Sequence, residues 1–164
     1  MNIFVLDKSP ILAARYQCDK HVVKMVTESA QLLSTAIWLR DNTRHIPYKP
    51  THIYHPCVKW ATFCFENFSW LCQHGLALAG EYTWRYGKKH KAEAAIIECV
   101  TYAPMFELRG GSPHPQCMPE QYRQVDAVEA YRDYYLGEKA RFAKWAKNRE
   151  APEWWRNNEQ SKLT

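Results

Sequence analysis

Along the chain, stretches of helical periodicity are separated by Pro-rich breaks. The opening Ile3-Phe4-Val5-Leu6 is β-branched and aromatic and reads as a short strand or an extended arm. Ser9-Pro10 then marks a helix start, since serine caps and proline is tolerated in a first turn. From there to about Arg40 the apolar positions Val22, Met25, Val26, Leu33 and Ile37 recur at helical spacing, with a break expected near Cys18. His21, Lys24, Glu28, Gln31 and Thr35 form a polar stripe on the other side of the same helix. Arg40 to Pro56 reads as a loop. A second helical block runs from about Cys57 to Tyr86, jointed near Glu66-Asn67, with Phe68, Leu71, Cys72, Gly75, Ala79, Tyr82 and Tyr86 on its apolar face. Gly87 is expected to end it as a left-handed cap, and Lys88-Lys89-His90-Lys91 opens a short helix to about Cys99. Residues 102–121 hold Gly110-Gly111 and four prolines, an irregular connection of a length that in small domains is usually functional or partly disordered. Asp126-Ala127-Val128-Glu129 fits a capping box and predicts a long helix with Val128, Tyr131, Tyr135, Phe142 and Trp145 on one side. With no repeat and no linker, the expectation is one compact all-α domain over residues 1–164, three longer helices around an aromatic core with a short extended N-terminal arm against them.

Composition narrows the function. The 164 residues suffice for one sizeable core but not two, and 46% apolar with 24% charged residues is a globular balance. A net charge of +5 permits a nucleic-acid partner without requiring one, because clustering matters more than the total. The 7 Trp and 10 Tyr suit either a stacked core or a base-stacking surface. No apolar run approaches the ~20 residues of a membrane span, so no membrane partner is expected. The first residues lack a basic segment and are cut short by Asp7-Lys8, so export is not expected. Cys18, Cys57, Cys64, Cys72, Cys99 and Cys117 then read as reduced thiols of a cytoplasmic protein. The absence of a P-loop, a GxGxxG turn, a nucleophile elbow, an HExxH pair and a deaminase zinc signature argues against nucleotide-driven, dinucleotide, serine-hydrolase and deaminase chemistry, and no cofactor is expected.

Three constellations carry candidate chemistry. Cys18-Asp19-Lys20-His21, with Lys24 and Glu28, brings a carboxylate, an imidazole and two ammonium groups into three helical turns. The plainer reading is a capped helix start with a Lys24–Glu28 pair of a few tenths of a kcal/mol. Thr51-His52-Ile53-Tyr54-His55-Pro56-Cys57 is the second. Joined to the first, it offers Cys18, His21, His55 and Cys57 as ligands if zinc is bound, against hydrogen-bonding histidines and a buried cysteine if it is not. The third is basic and aromatic: Arg85, Lys88, Lys89, His90, Lys91, then Lys139, Arg141, Lys144, Lys147, then Trp154, Trp155 and Arg156. Phosphate contacts plus a stacking wedge suit nucleic acid, while a solvated surface and a packed C-terminus are the alternatives.

In their order these segments resemble the pyrimidine-dimer DNA glycosylases of the endonuclease V type. Gln17-Cys18-Asp19-Lys20-His21 stands where that family has its Arg-Glu-Leu run, with Asp19 matching the catalytic glutamate and Cys18 replacing the arginine. Tyr54-His55-Pro56…Trp60, Leu71 through Glu81, Arg85, Tyr86 and Gly87, and Pro152-Glu153-Trp154-Trp155-Arg156 are similar to three further family stretches. The whole chain is similar to a group of phage proteins that share the Gln17–Met25 and Glu81–Lys91 stretches. The resemblance implies a DNA-directed N-glycosylase acting on a damaged or modified pyrimidine, with or without a lyase step, in the cytoplasm of an infected host. Its catalytic residues would be Asp19, His21, His55 and Glu28. DNA would be held by Arg15, Lys20, Lys24, Arg85, Lys88, Lys89, Lys91, Trp154, Trp155 and Arg156. In the family the nucleophile is the α-amine of the second residue, here Asn2, whose size disfavours removal of Met1. Water activated by Asp19 or His21 is the alternative nucleophile, and a noncatalytic DNA- or partner-binding protein on the same scaffold is the alternative function.

Overall fold

The computed structural model describes residues 1–161; the last three residues of the polar tail lie outside it. It is all-α, with no strand among the described residues. Helix α1 (Pro10–Arg15) starts at Ser9, whose hydroxyl accepts the Leu12 N–H, and is followed by α2 (Asp19–Arg40), so the break near Cys18 is real. Helices α3 (Pro56–Phe63) and α4 (Phe65–Tyr86) are jointed at Cys64, whose extended backbone (φ −156°, ψ 169°) interrupts the helical path. Gly87, at φ 68°, closes α4 with its N–H on the Thr83 carbonyl, a conformation in which a Cβ would be strained. Helix α5 (Glu93–Val100) follows, and α6 (Ala127–Tyr134) and α7 (Glu153–Ser161) close the described chain.

The two 22-residue helices α2 and α4 pack along each other, with α1 against α4, α3 against both, and α5 across the pair. Their shared core is Val22, Val26, Leu33 and Ile37 of α2 with Phe68, Leu71 and Leu78 of α4, all fully buried. The N-terminal arm is extended but pairs with no strand. Ile3, Phe4, Val5 and Leu6 are all at most 5% exposed, so the arm is covered on both faces rather than on alternate residues. Burying four such side chains stabilises the fold by about 1.5–3 kcal/mol each.

The expected third long helix is corrected. The Asp126 carboxylate does cap α6, accepting the Val128 and Glu129 N–H groups at 2.7 and 3.3 Å. After Tyr134 the helix widens into one π-type turn (Tyr135–Lys139) and stops. Gly137 is the cause: the Tyr122 hydroxyl and ring lie where its Cβ would stand, and only glycine admits that approach. Phe142 and Trp145 therefore reach the molecule from a loop. Residues 102–121 are irregular as expected, apart from two short 3₁₀ turns.

Candidate active site

The Glu28 carboxylate is where the N-terminal arm meets α2. Its polar stripe sets it one turn beyond Lys24, whose Nζ donates to Oε1 at 3.0 Å. Its other oxygen, Oε2, accepts the Asn2 backbone N–H at 3.1 Å and lies 3.9 Å from the amino-terminal nitrogen. The arm is fixed in that register by the Asn2 side chain. Asn2 Oδ1 accepts from the Tyr131 hydroxyl (2.7 Å) and from the Ile3 N–H (2.8 Å), while Nδ2 donates to the Cys117 carbonyl at 2.9 Å. One amide thus ties the chain start to α6 and to the irregular loop.

His55 comes to the same neighbourhood from the loop before α3. A tight turn, closed by the His55 N–H on the His52 carbonyl (2.8 Å) and requiring φ 51° at His52, presents Tyr54 to solvent at 80% exposure. The loop is anchored to α2 by the Thr51 N–H on Thr35 Oγ1 at 3.1 Å. His55 is the N-cap of α3, its Nδ1 accepting the Cys57 N–H at 3.1 Å. Burial, then the nearby amino terminus and His52, push its pKa down and keep the ring neutral, although Glu28 pulls the other way.

Further cations lie along α2 and in and after the π-type turn that follows α6. Lys24 keeps 66% of its side chain in solvent. Lys20 Nζ stands 5.3 Å from the Phe142 ring centre, the Arg141 guanidinium 6.0 Å from the same ring, and Lys139 Nζ 4.2 Å over Tyr134. The charged groups themselves lie over these rings, and the Lys139 Nζ also donates to the Tyr134 hydroxyl at 2.9 Å.

Several expected site residues have other work. Asp19 does not join Glu28 or His55. It opens α2 in an ion chain, with Oδ1 3.1 Å from Arg85 Nη1 and Oδ2 accepting the Ala146 N–H at 2.8 Å. The Arg85 side chain is fully buried, so it cannot reach DNA. It donates to the carbonyls of Gln17 (2.8 Å) and Arg15 (2.9 Å), which α1 leaves unpaired at its end, and its Nε reaches Glu81 at 3.1 Å. Glu81 also binds Arg149 at 2.6 Å, which pins the loop after α6. His21 is 8% exposed, stacked 4.3 Å from Phe4 and bonded through Nδ1 to the Tyr135 hydroxyl. Burial, then Lys139 and Lys24, lower its pKa to about 3, so it is no proton shuttle near neutrality.

The zinc set of Cys18, His21, His55 and Cys57 is also corrected. Cys18 and His21 both face Tyr135, whereas His55 and Cys57 are joined by Cys117. Trp155 is 4% exposed against Trp145, and Trp154 lies under the Arg132 guanidinium and beside Tyr135. Both tryptophans pack the C-terminus rather than project as a wedge. Lys88, Lys89 and Lys91 are exposed beyond α4, with Lys89 bonded to Glu93 at 3.0 Å. Arg15 and Arg156 line a separate polar groove of about 490 Å³ with Arg149, Glu150 and Glu153.

The residues that sequence reasoning missed are Asn2 as the latch of the arm, Tyr131 as its hydroxyl partner, and Cys117. Each acts through contacts across at least 60 positions of chain, which no local period encodes. Against known proteins, no family model, no curated protein and no solved structure matches this chain.

Proposed function

We propose that this protein is a nucleic-acid-directed N-glycosylase acting on a damaged or modified pyrimidine in DNA, with Glu28, not Asp19, as its catalytic carboxylate. The observation that carries the reading is the Glu28 carboxylate itself, which pairs with Lys24 and accepts the Asn2 N–H where the N-terminal arm meets α2, with the amino terminus 3.9 Å away. Asp19 is already spent on Arg85 and the Ala146 N–H.

In this reading Lys20, Lys24, Lys139 and Arg141 neutralise phosphates on both sides of the target nucleotide. Tyr54, at the tip of its turn, stacks where the flipped nucleotide leaves the duplex. As the bond between sugar and base breaks, its electron pair leaves with the base, and Glu28 stabilises the positive charge that grows on the sugar. Because the size of Asn2 disfavours removal of Met1, the nucleophile is water, which adds to C1′ and gives its proton to Glu28. That proton passes to the departed base, which completes the hydrolysis and returns Glu28 to its carboxylate form.

The test is base release from duplexes bearing pyrimidine lesions and modified pyrimidines, with wild type, Glu28→Gln and Asp19→Asn at saturating protein. Glu28→Gln is expected to lose roughly 10²–10⁴-fold in rate, the range for a positioned acid–base group. Asp19→Asn is expected to keep the rate at temperatures where it stays folded. Tight binding with no base release from any substrate by the wild type supports the noncatalytic DNA-binding reading instead.

A further inference from the structure

The irregular loop and the start of α3 place three soft ligands together. One imidazole nitrogen of His55 and the sulfurs of Cys57 and Cys117 all lie within 4.8 Å of one another. The two sulfurs are 3.6 Å apart. Tetrahedral zinc with sulfur at about 2.3 Å requires thiolates roughly 3.8 Å apart, whereas a disulfide holds them at about 2.05 Å. The spacing, which the free thiols fill with an S–H···S contact, also suits two ligands of one metal. We propose that His55, Cys57 and Cys117 form a zinc site with three protein ligands and a fourth position open to water.

The ligands are held in place by groups outside the set. Cys57 sits in the first turn of α3, where Pro56 fixes its backbone. Cys117 is bound on both sides of its own backbone: its N–H donates to the Tyr131 hydroxyl at 3.2 Å and its carbonyl accepts from Asn2 Nδ2 at 2.9 Å. His55 is oriented by its turn and by the loop anchor on Thr35, and binding the metal replaces the hydrogen bond that its Nδ1 accepts from the Cys57 N–H. Such support around the ligands is what sets a metal's geometry. Cys57 is fully buried, while His55 and Cys117 remain partly exposed, which leaves a path for the ion. Two thiolates and a neutral imidazole select zinc over the hard cations, which prefer oxygen. Loading releases the thiol protons, and because the ligands come from α3 and from a loop some 60 residues later, it also closes that loop onto the helix.

The site neighbours Glu28 through the Asn2 latch but does not depend on the glycosylase reading. It is tested with the full chain and cobalt(II) alone, purified under reducing conditions, read by the sulfur-to-cobalt charge-transfer absorption and its displacement by zinc. One ion per chain is expected to bind with that absorption. Cys117→Ser is expected to abolish it, His55→Ala to weaken it at least tenfold, and Cys18→Ser to leave it unchanged. Cys117 is partly exposed, so its serine variant is checked for folding by circular dichroism, and elemental analysis of the purified wild type gives a second reading. Three results each overturn the site. These are wild type that binds cobalt without thiolate absorption, absorption that survives in folded Cys117→Ser, and a Cys57–Cys117 disulfide with no metal under the reducing conditions used. None of them touches base release, which is measured on Glu28→Gln.

Discussion

Asp19 and Glu28 are two carboxylates of one helix, equally shielded at 13% and 12% side-chain exposure but with different partners. Asp19 faces a guanidinium that has no solvent contact, and Glu28 faces one exposed lysine and the start of the chain. Breaking a buried pair strands the remaining charge, so Arg85→Met is expected to cost about 3–5 kcal/mol in a denaturant titration. Lys24→Met, at a pair exposed on one side, is expected to cost under ~1 kcal/mol. Histidines give a second prediction at this scale. His21 is held at about 3 and His74, buried between the Pro10 carbonyl and Gln17, at about 4, both below the ordinary 6.5. Above that value both are neutral in folded and unfolded chains, and they add no pH dependence. As pH falls below it the unfolded chain takes up protons that the folded chain refuses. Stability is therefore lost toward acid by up to ~1.4 kcal/mol per pH unit for each ring, until pH reaches the folded values. Urea midpoints at pH 7.5 and 5 are expected to show this loss, and His21→Phe to reduce it. A midpoint unchanged between the two pH values would contradict the burial of these rings.

Among the elements, α1 through α5 were legible in the sequence because their signals are local: the Ser9-Pro10 start, the stripe from Val22 to Ile37, the Gly87 cap. The end of α6 was not. Phe142 and Trp145 continue a helical period from Tyr135, but the helix opens at Gly137, where the Tyr122 ring from the preceding loop takes the space of a side chain. A contact from outside the element overrode the period. The same limit hid the candidate site. Glu28 stood out as one of several polar residues on a stripe, but its pairing with the arm depends on Asn2 reaching Tyr131 and Cys117. Trp154 and Trp155 looked like a wedge because exposure cannot be read from type. At this scale Gly137→Ala is expected to lower stability by about 1–3 kcal/mol through overpacking against Tyr122. Gly137→Ala combined with Tyr122→Ala is expected to recover part of that loss, as a double-mutant cycle by thermal melting would show.

For the whole molecule, the distribution of charge matters more than its sum of +5. Lys20 and Lys24 lie on α2, with Lys20 and Arg141 on the same Phe142 ring and Lys139 on Tyr134, while Lys88, Lys89 and Lys91 extend past α4, and Arg15 and Arg156 border a groove with two acidic residues. If the first set holds DNA, Lys20→Ala with Lys24→Ala is expected to flatten the slope of log affinity against log salt by roughly one to two units. Lys88→Ala with Lys89→Ala is expected to leave the slope nearly unchanged. The reverse pattern would move the interface to the end of α4.

The most direct measurement is single-turnover release of a pyrimidine base from lesion-bearing duplex by wild type and Glu28→Gln, with binding followed in the same samples. The account predicts release by the wild type, a loss of roughly 10²–10⁴-fold in Glu28→Gln, and affinity within a few-fold of wild type. Base release by Glu28→Gln at the wild-type rate, in folded protein that binds equally well, would contradict it.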